Sequence, residues 1–136
     1  MRFKVVDENE LNEKFRNDAL RNQHHQKHGK DKKYDYDSYE VFHGISDEEY
    51  EALADELANS KVDFKNVDGF ISTDANGAPS FCKWHKATGY LVFYDREGYE
   101  PIIRSFRVEH FRDYNRKRAS RYADELPESE IHMDFL

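Results

Sequence analysis

The sequence has little of what defines several protein classes. It contains a single cysteine, Cys82, so no disulfide can form within the chain and nothing indicates a cysteine-rich zinc module. No apolar run approaches the roughly 20 residues of a membrane-spanning helix, and the N-terminal "MRFKVVDENE" lacks the apolar centre of a signal peptide. No internal repeat or low-complexity segment is present. We therefore expect a soluble protein of the cytoplasm.

Aromatic and charged side chains are plentiful. The 136 residues include ten phenylalanines, nine tyrosines and one tryptophan, and 36% of the residues are charged. Aromatic side chains bury large areas from few positions, so a chain of this length can form one hydrophobic core. We expect a single domain over residues 1–136, with a folded core at about 8–124 and an acidic tail at 125–136.

The charge is distributed unevenly along the chain. The net charge is −7, and residues 34–76 contain two lysines against twelve acidic residues. Residues 104–121, in contrast, contain seven basic residues against two acidic ones. The acidic total therefore hides a basic segment that can face an anionic partner.

Two patterns predict helices in the first half of the chain. An apolar stripe with helical spacing predicts a helix over about residues 8–28, ending before Gly29. Ser46 and Glu49 form a capping-box pair that begins a second helix. Residues 30–45 have no clear period and predict a loop with at most a short strand.

From about residue 67 the pattern changes to short strands separated by turn residues. The strand segments are "VDGFIST", "SFCKWHK", "YLVFYD" and "IIRSFRV". Such short connections allow only an antiparallel meander, and a helix over about 109–124 follows. The sequence thus predicts an α+β fold in which N-terminal helices pack on a four-stranded antiparallel meander, with a C-terminal helix.

Strand alternation orients several polar side chains. It places Lys83 and His85 on one face of the second strand, and Ile103, Ser105 and Arg107 on one face of the fourth. A long basic side chain in a strand is unusual unless it points to solvent or to an anion.

The stretch "NQHHQKHGK" (residues 22–30) holds three of the seven histidines. His24 and His28 lie one helical turn apart and project from one face. Zinc needs at least three ligands, and here only Asp31 and His43 are conceivable additions, so we expect no metal and no other cofactor. The remaining interpretations are a solvated helix end, where positive side chains are favourable, and proton transfer.

Proton transfer by histidine suits RNA cleavage without a metal. That reaction needs a base for the 2′-hydroxyl, an acid for the leaving 5′-oxygen, and cations for the charge that builds on the phosphate. Lys83 and Arg104 or Arg107 are candidate cations. The hydroxyl of Ser105 suits a phosphate oxygen, and Tyr114 suits base stacking or phosphate positioning.

Several pieces of the sequence, in this order, resemble the barnase/EndoU/colicin/RelE-like ribonuclease superfamily. They are "HHQKHGK" (24–30), "EEYEALADELANS" (48–60), "GFIS" (69–72), "KWHKATGYLVFYD" (83–95), "IRSFRV" (103–108) and "DYNRKRASRY" (113–122). The resemblance is closest to toxin domains of phage, conjugative elements and contact-dependent inhibition systems. It implies helices packed on a four-stranded sheet, with an RNA cleft opposite or beside the first helix.

The resemblance implies a metal-independent endoribonuclease, a bacterial toxin that cleaves tRNA or another cellular RNA, with a cognate immunity or antitoxin protein as a partner. The candidate catalytic residues are His24, His28, Lys83, His85, Arg104, Ser105 and Tyr114, of which all but His85 match positions of the family pattern. The RNA-binding residues are Arg107, Arg112, Arg116, Lys117, Arg118 and Arg121. His85 departs from the family pattern, where an acidic or small polar residue is usual, and is therefore a rival acid or base.

Two other functions stay open at this stage. One is a non-catalytic protein of the same fold that binds a nucleic acid or a protein, as a regulator on a mobile element does. The other is an acidic inhibitor or immunity-type protein that uses residues 34–76 to cover a basic partner.

Overall fold

The computed structural model describes residues 18–73, 79–120 and 126–132. These residues form the predicted α+β fold, with N-terminal helices, a four-stranded antiparallel sheet and a C-terminal helix. The helices are α1 (Asp18–His25), a π-helical turn (Gln26–Lys30), α2 (Tyr36–Phe42), α3 (Asp47–Asn59) and α4 (Phe111–Ser120). The strands are β1 (Val67–Thr73), β2 (Pro79–His85), β3 (Tyr90–Glu97) and β4 (Glu100–Val108). None of these helices has the length and apolar character needed to cross a membrane.

The first predicted helix is confirmed from Asp18 onward, and residues 8–17 lie outside the described residues. Gly29 does not end it, because the π-helical turn continues to Lys30. A Cβ at Gly29 would lie 2.6 Å from Cδ2 of His25 and 2.9 Å from Cβ of Phe42. Glycine is therefore needed where the turn packs closely on these two side chains.

Helix α2 lies within residues 30–45, so the prediction of a loop there is wrong. The Asp35 carboxylate accepts the N–H of Ser38 at 3.1 Å and thereby caps the helix. At the other end, Phe42 is completely buried. So short a helix shows too little apolar periodicity to be recognised from the sequence.

Helix α3 begins as its capping box predicts. The Ser46 hydroxyl accepts the N–H of Glu49 at 3.1 Å. The apolar stripe that follows is buried, with Tyr50, Ala54 and Ala58 inaccessible to solvent. This stripe packs on the sheet and, with α2, encloses the main core.

The strands lie in the order β1-β2-β3-β4, each pair antiparallel, which confirms the meander. The β1–β2 connection at 74–78 lies outside the described residues. One face of the sheet forms the main core beneath α3. The other face carries a smaller cluster that includes a residue of α4: Phe70, Cys82, Trp84, Leu91, Phe93 and Tyr114. α4 confirms the last predicted helix over 111–120, and residues 121–125 are not described.

The alternation predicted for β4 is wrong at one position. A register shift between β3 and β4 leaves Arg104 as an extra residue, a β-bulge. Ile103 therefore joins Phe106 in the main core, whereas Ser105 and Arg107 lie beside the smaller cluster. A bulge of one residue reverses the faces on either side of it, and sequence periodicity does not reveal it.

Residues 126–132, which the sequence placed in an acidic tail, pack against the core. Leu126 is buried in the main core, and Glu130 is only 1% exposed. Val62 and Ile131 form a parallel β-bridge. A 3-10 turn (Glu128–Glu130) brings the Glu130 carboxylate to the strand side chains.

Candidate functional site

The three histidines of residues 24–28 have different surroundings, and His25 is part of the core. Its Nδ1 lies 2.6 Å from Oδ1 of Asp47, and its Nε2 lies 3.0 Å from the carbonyl oxygen of Phe42. The ring is fully buried and stacks on Tyr50 with the centroids 4.5 Å apart. Both ring nitrogens are thus engaged in joining α1 to α2 and α3, which leaves His25 without a role toward a ligand.

His28 is held by the partly buried carboxylate of Asp35. It is 6% exposed, and its Nδ1 lies 2.9 Å from Oδ2 of Asp35. The same carboxylate accepts the hydroxyl of Ser38 at 2.7 Å, and that hydroxyl oxygen accepts the N–H of Val108 in β4 at 2.8 Å. The imidazole orientation is therefore fixed by a chain of contacts that ends in the sheet. Because Nδ1 faces an acceptor, Nε2 is the atom that can exchange a proton.

The Asp35 carboxyl group is ionised in this arrangement. Burial alone would raise its pKa, but the hydrogen bonds from His28 and Ser38 outweigh that effect and hold the pKa below its usual value. The group thus has two functions, capping α2 and orienting His28.

His24 lies one turn before His28, and their rings are nearly parallel. The ring centroids are 6.0 Å apart and the planes differ by 13°. Burial, followed by the positive charges of His28, Lys27 and Arg107, lowers the pKa of His24 from 6.5 to about 4. The imidazole is therefore neutral at pH 7 and able to accept a proton.

Strand β4 brings an arginine and a hydroxyl to the same place. Arg107 donates from Nη1 to Oγ of Ser105 at 3.0 Å and from Nε to Oε2 of Glu109 at 3.1 Å. Its guanidinium lies 5.6 Å from the ring centroid of Phe93. These contacts use two of the five N–H donors of arginine, so the group can bind an anion while it stays oriented.

Arg104, the bulged residue, also approaches His24. The two side chains line a cavity of about 200 Å³ with Leu20, Ile102 and Ile103. The guanidinium of Arg104 pairs with Asp95 at 3.2 Å and is 46% exposed. The structure therefore brings together five of the predicted residues: His24, His28, Arg104, Ser105 and Arg107.

Lys83 lies elsewhere, in the main core. It is fully buried, and its Nζ donates to the carbonyl oxygens of Ala58 (2.8 Å) and Ser60. The ammonium lies 3.1 Å from Oε1 of Glu130. Burial lowers the pKa of Lys83, although the Glu130 charge opposes the change. Of the two alternatives, solvent or an anion, the strand lysine points to an anion, and that anion is Glu130 of the same chain.

His85 and Tyr114 also lie apart from the histidine pair. His85 forms a hydrogen bond with Thr88 at 2.7 Å and lines a separate cavity of about 240 Å³ near Leu53. Tyr114 stacks on Trp84 with the centroids 4.5 Å apart and donates to Oδ2 of Asp68 at 2.6 Å. Burial and this hydrogen bond raise the pKa of Tyr114, which makes it a packing residue of α4.

The basic residues of α4 form a partly paired surface. Arg112 and Arg116 approach Asp113 and are largely exposed, at 85% and 68% of their side-chain areas. The other pairs are Lys117 with Glu109 at 3.6 Å and Arg118 with Asp68 at 3.3 Å. Arg121 lies outside the described residues.

Sequence reasoning did not identify two acidic residues of this site, Asp35 and Glu109. Asp35 does carry a signal, because aspartate is a preferred residue at the start of a helix. Glu109 carries none, since its approach to Arg107 depends on how β4 ends. Arg107 was predicted to be an RNA-binding residue and, as an alternative to Arg104, a candidate cation; its charge is among those that lower the His24 pKa.

Within the described residues, no three His, Cys, Asp or Glu side chains are grouped closely enough to hold a metal ion. Comparisons with protein-family models, with curated proteins and with solved structures find no match to the chain. The site is therefore interpreted from its own geometry.

Proposed function

We propose that this protein is a metal-independent endoribonuclease in which His24 and His28 exchange the protons of the reaction. The observation that supports this most is the pairing of two imidazoles, one oriented by the partly buried Asp35 carboxylate and the other with its pKa lowered to about 4 by burial and by charges that include Arg107. The resemblance to the ribonuclease superfamily agrees with the proposal. The alternative interpretation, a solvated helix end, explains neither the burial of His28 nor its contact with Asp35.

The reaction needs two proton transfers. The 2′-oxygen attacks the phosphorus, the bond from phosphorus to the 5′-oxygen breaks, and a 2′,3′-cyclic phosphate forms. In our proposal neutral His24 takes the proton of the 2′-hydroxyl. His28, in its protonated form, gives a proton to the leaving 5′-oxygen from Nε2, while Asp35 keeps the ring in place.

The cations of β4 act on the phosphate. Arg107 stabilises the charge that builds on the non-bridging oxygens, and Ser105, already in contact with its guanidinium, positions one of them. Arg104 and the exposed arginines of α4 hold the neighbouring backbone, so that affinity falls with salt. Lys83 has no role in this proposal, because its ammonium is enclosed in the core.

The biological setting follows from the chemistry and the resemblance. We propose cleavage of tRNA or another cellular RNA in the cytoplasm, with the protein acting as a bacterial toxin that a cognate immunity or antitoxin protein neutralises.

Incubation of the purified protein with end-labelled single-stranded RNA in EDTA tests the proposal. We expect fragments that end in a 2′,3′-cyclic phosphate, and a loss of about 10²- to 10⁴-fold in rate for His24→Ala and His28→Ala. His28→Asn retains a donor toward Asp35 and guards against misfolding. His43→Ala, at an exposed histidine on the end of α2, is the matched control and should cleave normally.

Other outcomes would redirect the assignment. Loss of cleavage in His85→Ala alone would move proton transfer to the end of β2. Intact RNA with the folded wild-type protein would contradict the proposal. Tight RNA binding would then favour the non-catalytic alternative, and a complex with a basic protein would favour the acidic inhibitor.

A further inference from the structure

We infer that a cavity next to the histidine pair binds one unpaired nucleobase of the RNA, an inference that rests on the proposed function and names a subsite of it. The cavity has a volume of about 400 Å³ and is lined by Gln23, Gln26, Lys27 and Tyr34. This volume is within the range of sites that bind small molecules. The lining combines an aromatic ring, two amides and a cation, which are the groups that recognise a nucleotide.

The position of the cavity connects it to the proton-transfer residues. Gln23 and Lys27 lie in α1 and the π-helical turn, on either side of His24 along the chain. The charge of Lys27 is one of those that lower the His24 pKa. The cavity thus lies on the same helical segment as His24 and His28, and in our inference the phosphate of a bound nucleotide extends toward them.

Tyr34 provides the surface for stacking. It is 63% exposed and lines the cavity, so the side chain is accessible to a ligand. The turn before it is ordered by the Asp31 carbonyl, which accepts the Tyr34 N–H at 3.2 Å, and by the Asp31 side chain, which accepts the Lys33 N–H at 3.0 Å. Base stacking on exposed tyrosine is a common means of binding unpaired nucleotides.

The polar residues complete the site. Each glutamine amide has one acceptor oxygen and two donor hydrogens, so Gln23 and Gln26 can meet the mixed donor and acceptor edge of a base. Lys33 Nζ lies 5.8 Å from the Tyr34 ring centroid. This ammonium lies over one face of the ring, and with Lys27 it adds positive charge beside the cavity that favours an anionic nucleotide.

Binding of a short 2′-O-methyl RNA strand, measured by fluorescence anisotropy, tests the inference, because this strand cannot be cleaved at a blocked 2′-oxygen. We expect Tyr34→Ala to weaken binding about 5- to 100-fold, and Tyr34→Phe to stay within about twofold of wild type. Tyr99→Ala is the matched control, because Tyr99 is 96% exposed in the β3–β4 turn and lines another cavity. Equal affinities for Tyr34→Ala and Tyr99→Ala, or no binding by the wild type, would overturn the inference.

Cleavage of unmodified RNA by the same proteins separates this inference from the proposed function. If the wild type cleaves with a dependence on His28, and Tyr34→Ala changes neither affinity nor KM, the base site is refuted and the ribonuclease remains. If binding depends on Tyr34 but no variant cleaves, the base site stands and the ribonuclease is refuted.

Discussion

Two clusters of charged and polar side chains occupy this small fold, and they differ in how completely the chain encloses them. The histidine cluster consists of His24, His28, Asp35, Ser105 and Arg107. The buried ion cluster consists of Lys83, Tyr94, Arg96 and Glu130. From the sequence alone, Lys83 and His28 look equally suited to a catalytic role.

The buried ion cluster satisfies its groups internally. Arg96 donates to the Glu130 carboxylate from Nε at 2.8 Å and from Nη2 at 3.0 Å, and the Tyr94 hydroxyl donates to it as well. Burial would raise the pKa of Glu130, but these hydrogen bonds and the nearby charges of Lys83 and Arg96 hold it at about 2. A cavity of about 350 Å³ adjoins this cluster at Arg96 and Glu130, but Lys83 and Glu130 are themselves at most 1% exposed. The histidine cluster adjoins cavities at Arg104 and at Tyr34, and its Arg107 side chain is 22% exposed. The pairing of Lys83 and Arg96 with the enclosed Glu130 carboxylate, and not the density of charge or the presence of a cavity, distinguishes the buried ion cluster.

The largest expected effect concerns the buried ion cluster. Glu130→Ala leaves Lys83 and Arg96 without their carboxylate, and an uncompensated buried charge costs about 3–5 kcal/mol of the free energy of unfolding. Urea unfolding measures this loss. Glu128→Ala, at an exposed neighbour in the same turn, should change stability by less than about 0.5 kcal/mol. A Glu130 variant as stable as wild type would show that the cluster does not hold the C-terminal segment.

The next effect concerns the histidine cluster and should appear in activity. Asparagine caps a helix about as well as aspartate, so Asp35→Asn should preserve α2 while removing the charge that faces His28. We expect RNA cleavage to slow about 10- to 100-fold, part of what general acid–base catalysis contributes. Ser46→Ala is the control for stability. It removes the α3 cap and should lower the free energy of unfolding by about 0.5–2 kcal/mol, but it should leave the cleavage rate of the folded protein unchanged. Wild-type cleavage by Asp35→Asn would remove Asp35 from the site.

The two clusters should also respond to pH in different ranges. The His24 pKa falls from 6.5 to about 4 on folding, so between these values the unfolded chain binds the extra proton and stability decreases as the pH falls. The Glu130 pKa falls from 4.5 to about 2, so its stabilisation is complete above about 4.5 and is lost on further acidification. We expect the free energy of unfolding of His24→Gln to depend less on pH than that of wild type between about 4 and 6.5. For Glu130→Gln the weaker dependence should appear between about 2 and 4.5. An unchanged pH dependence between about 4 and 6.5 in His24→Gln would contradict a His24 pKa lowered by burial.

The smallest effect concerns the basic surface of α4. Arg116→Ala should leave stability within about 0.5 kcal/mol, because an exposed ion pair contributes little. Its RNA affinity should fall several-fold, and the slope of log affinity against log salt should decrease by about 1. Lys86→Ala, at an exposed lysine after β2, should leave the slope unchanged. An unaltered slope in Arg116→Ala would place the RNA backbone on another face.

Much of the fold was predictable because it depends on short-range patterns. The capping box at Ser46, the stripe of α3 and the four strands each follow from residues close together in the sequence. Helix α2 was missed because it is held by one cap at Asp35 and one buried ring at Phe42. The bulge at Arg104 was missed because register is decided by pairing with β3.

The sequence predicted which kinds of residue form the candidate site, but not which individual residues lie together in it. The sequence by itself determined that His24 and His28 share one helical face and that Ser105 and Arg107 share one strand face, since both spacings are properties of the local backbone. Only the tertiary structure decided that Lys83 is enclosed by Glu130, and that Asp35 reaches His28. Those contacts join residues that are remote in sequence or lie in unlike elements, and packing alone sets which charged side chains meet a partner from within the chain.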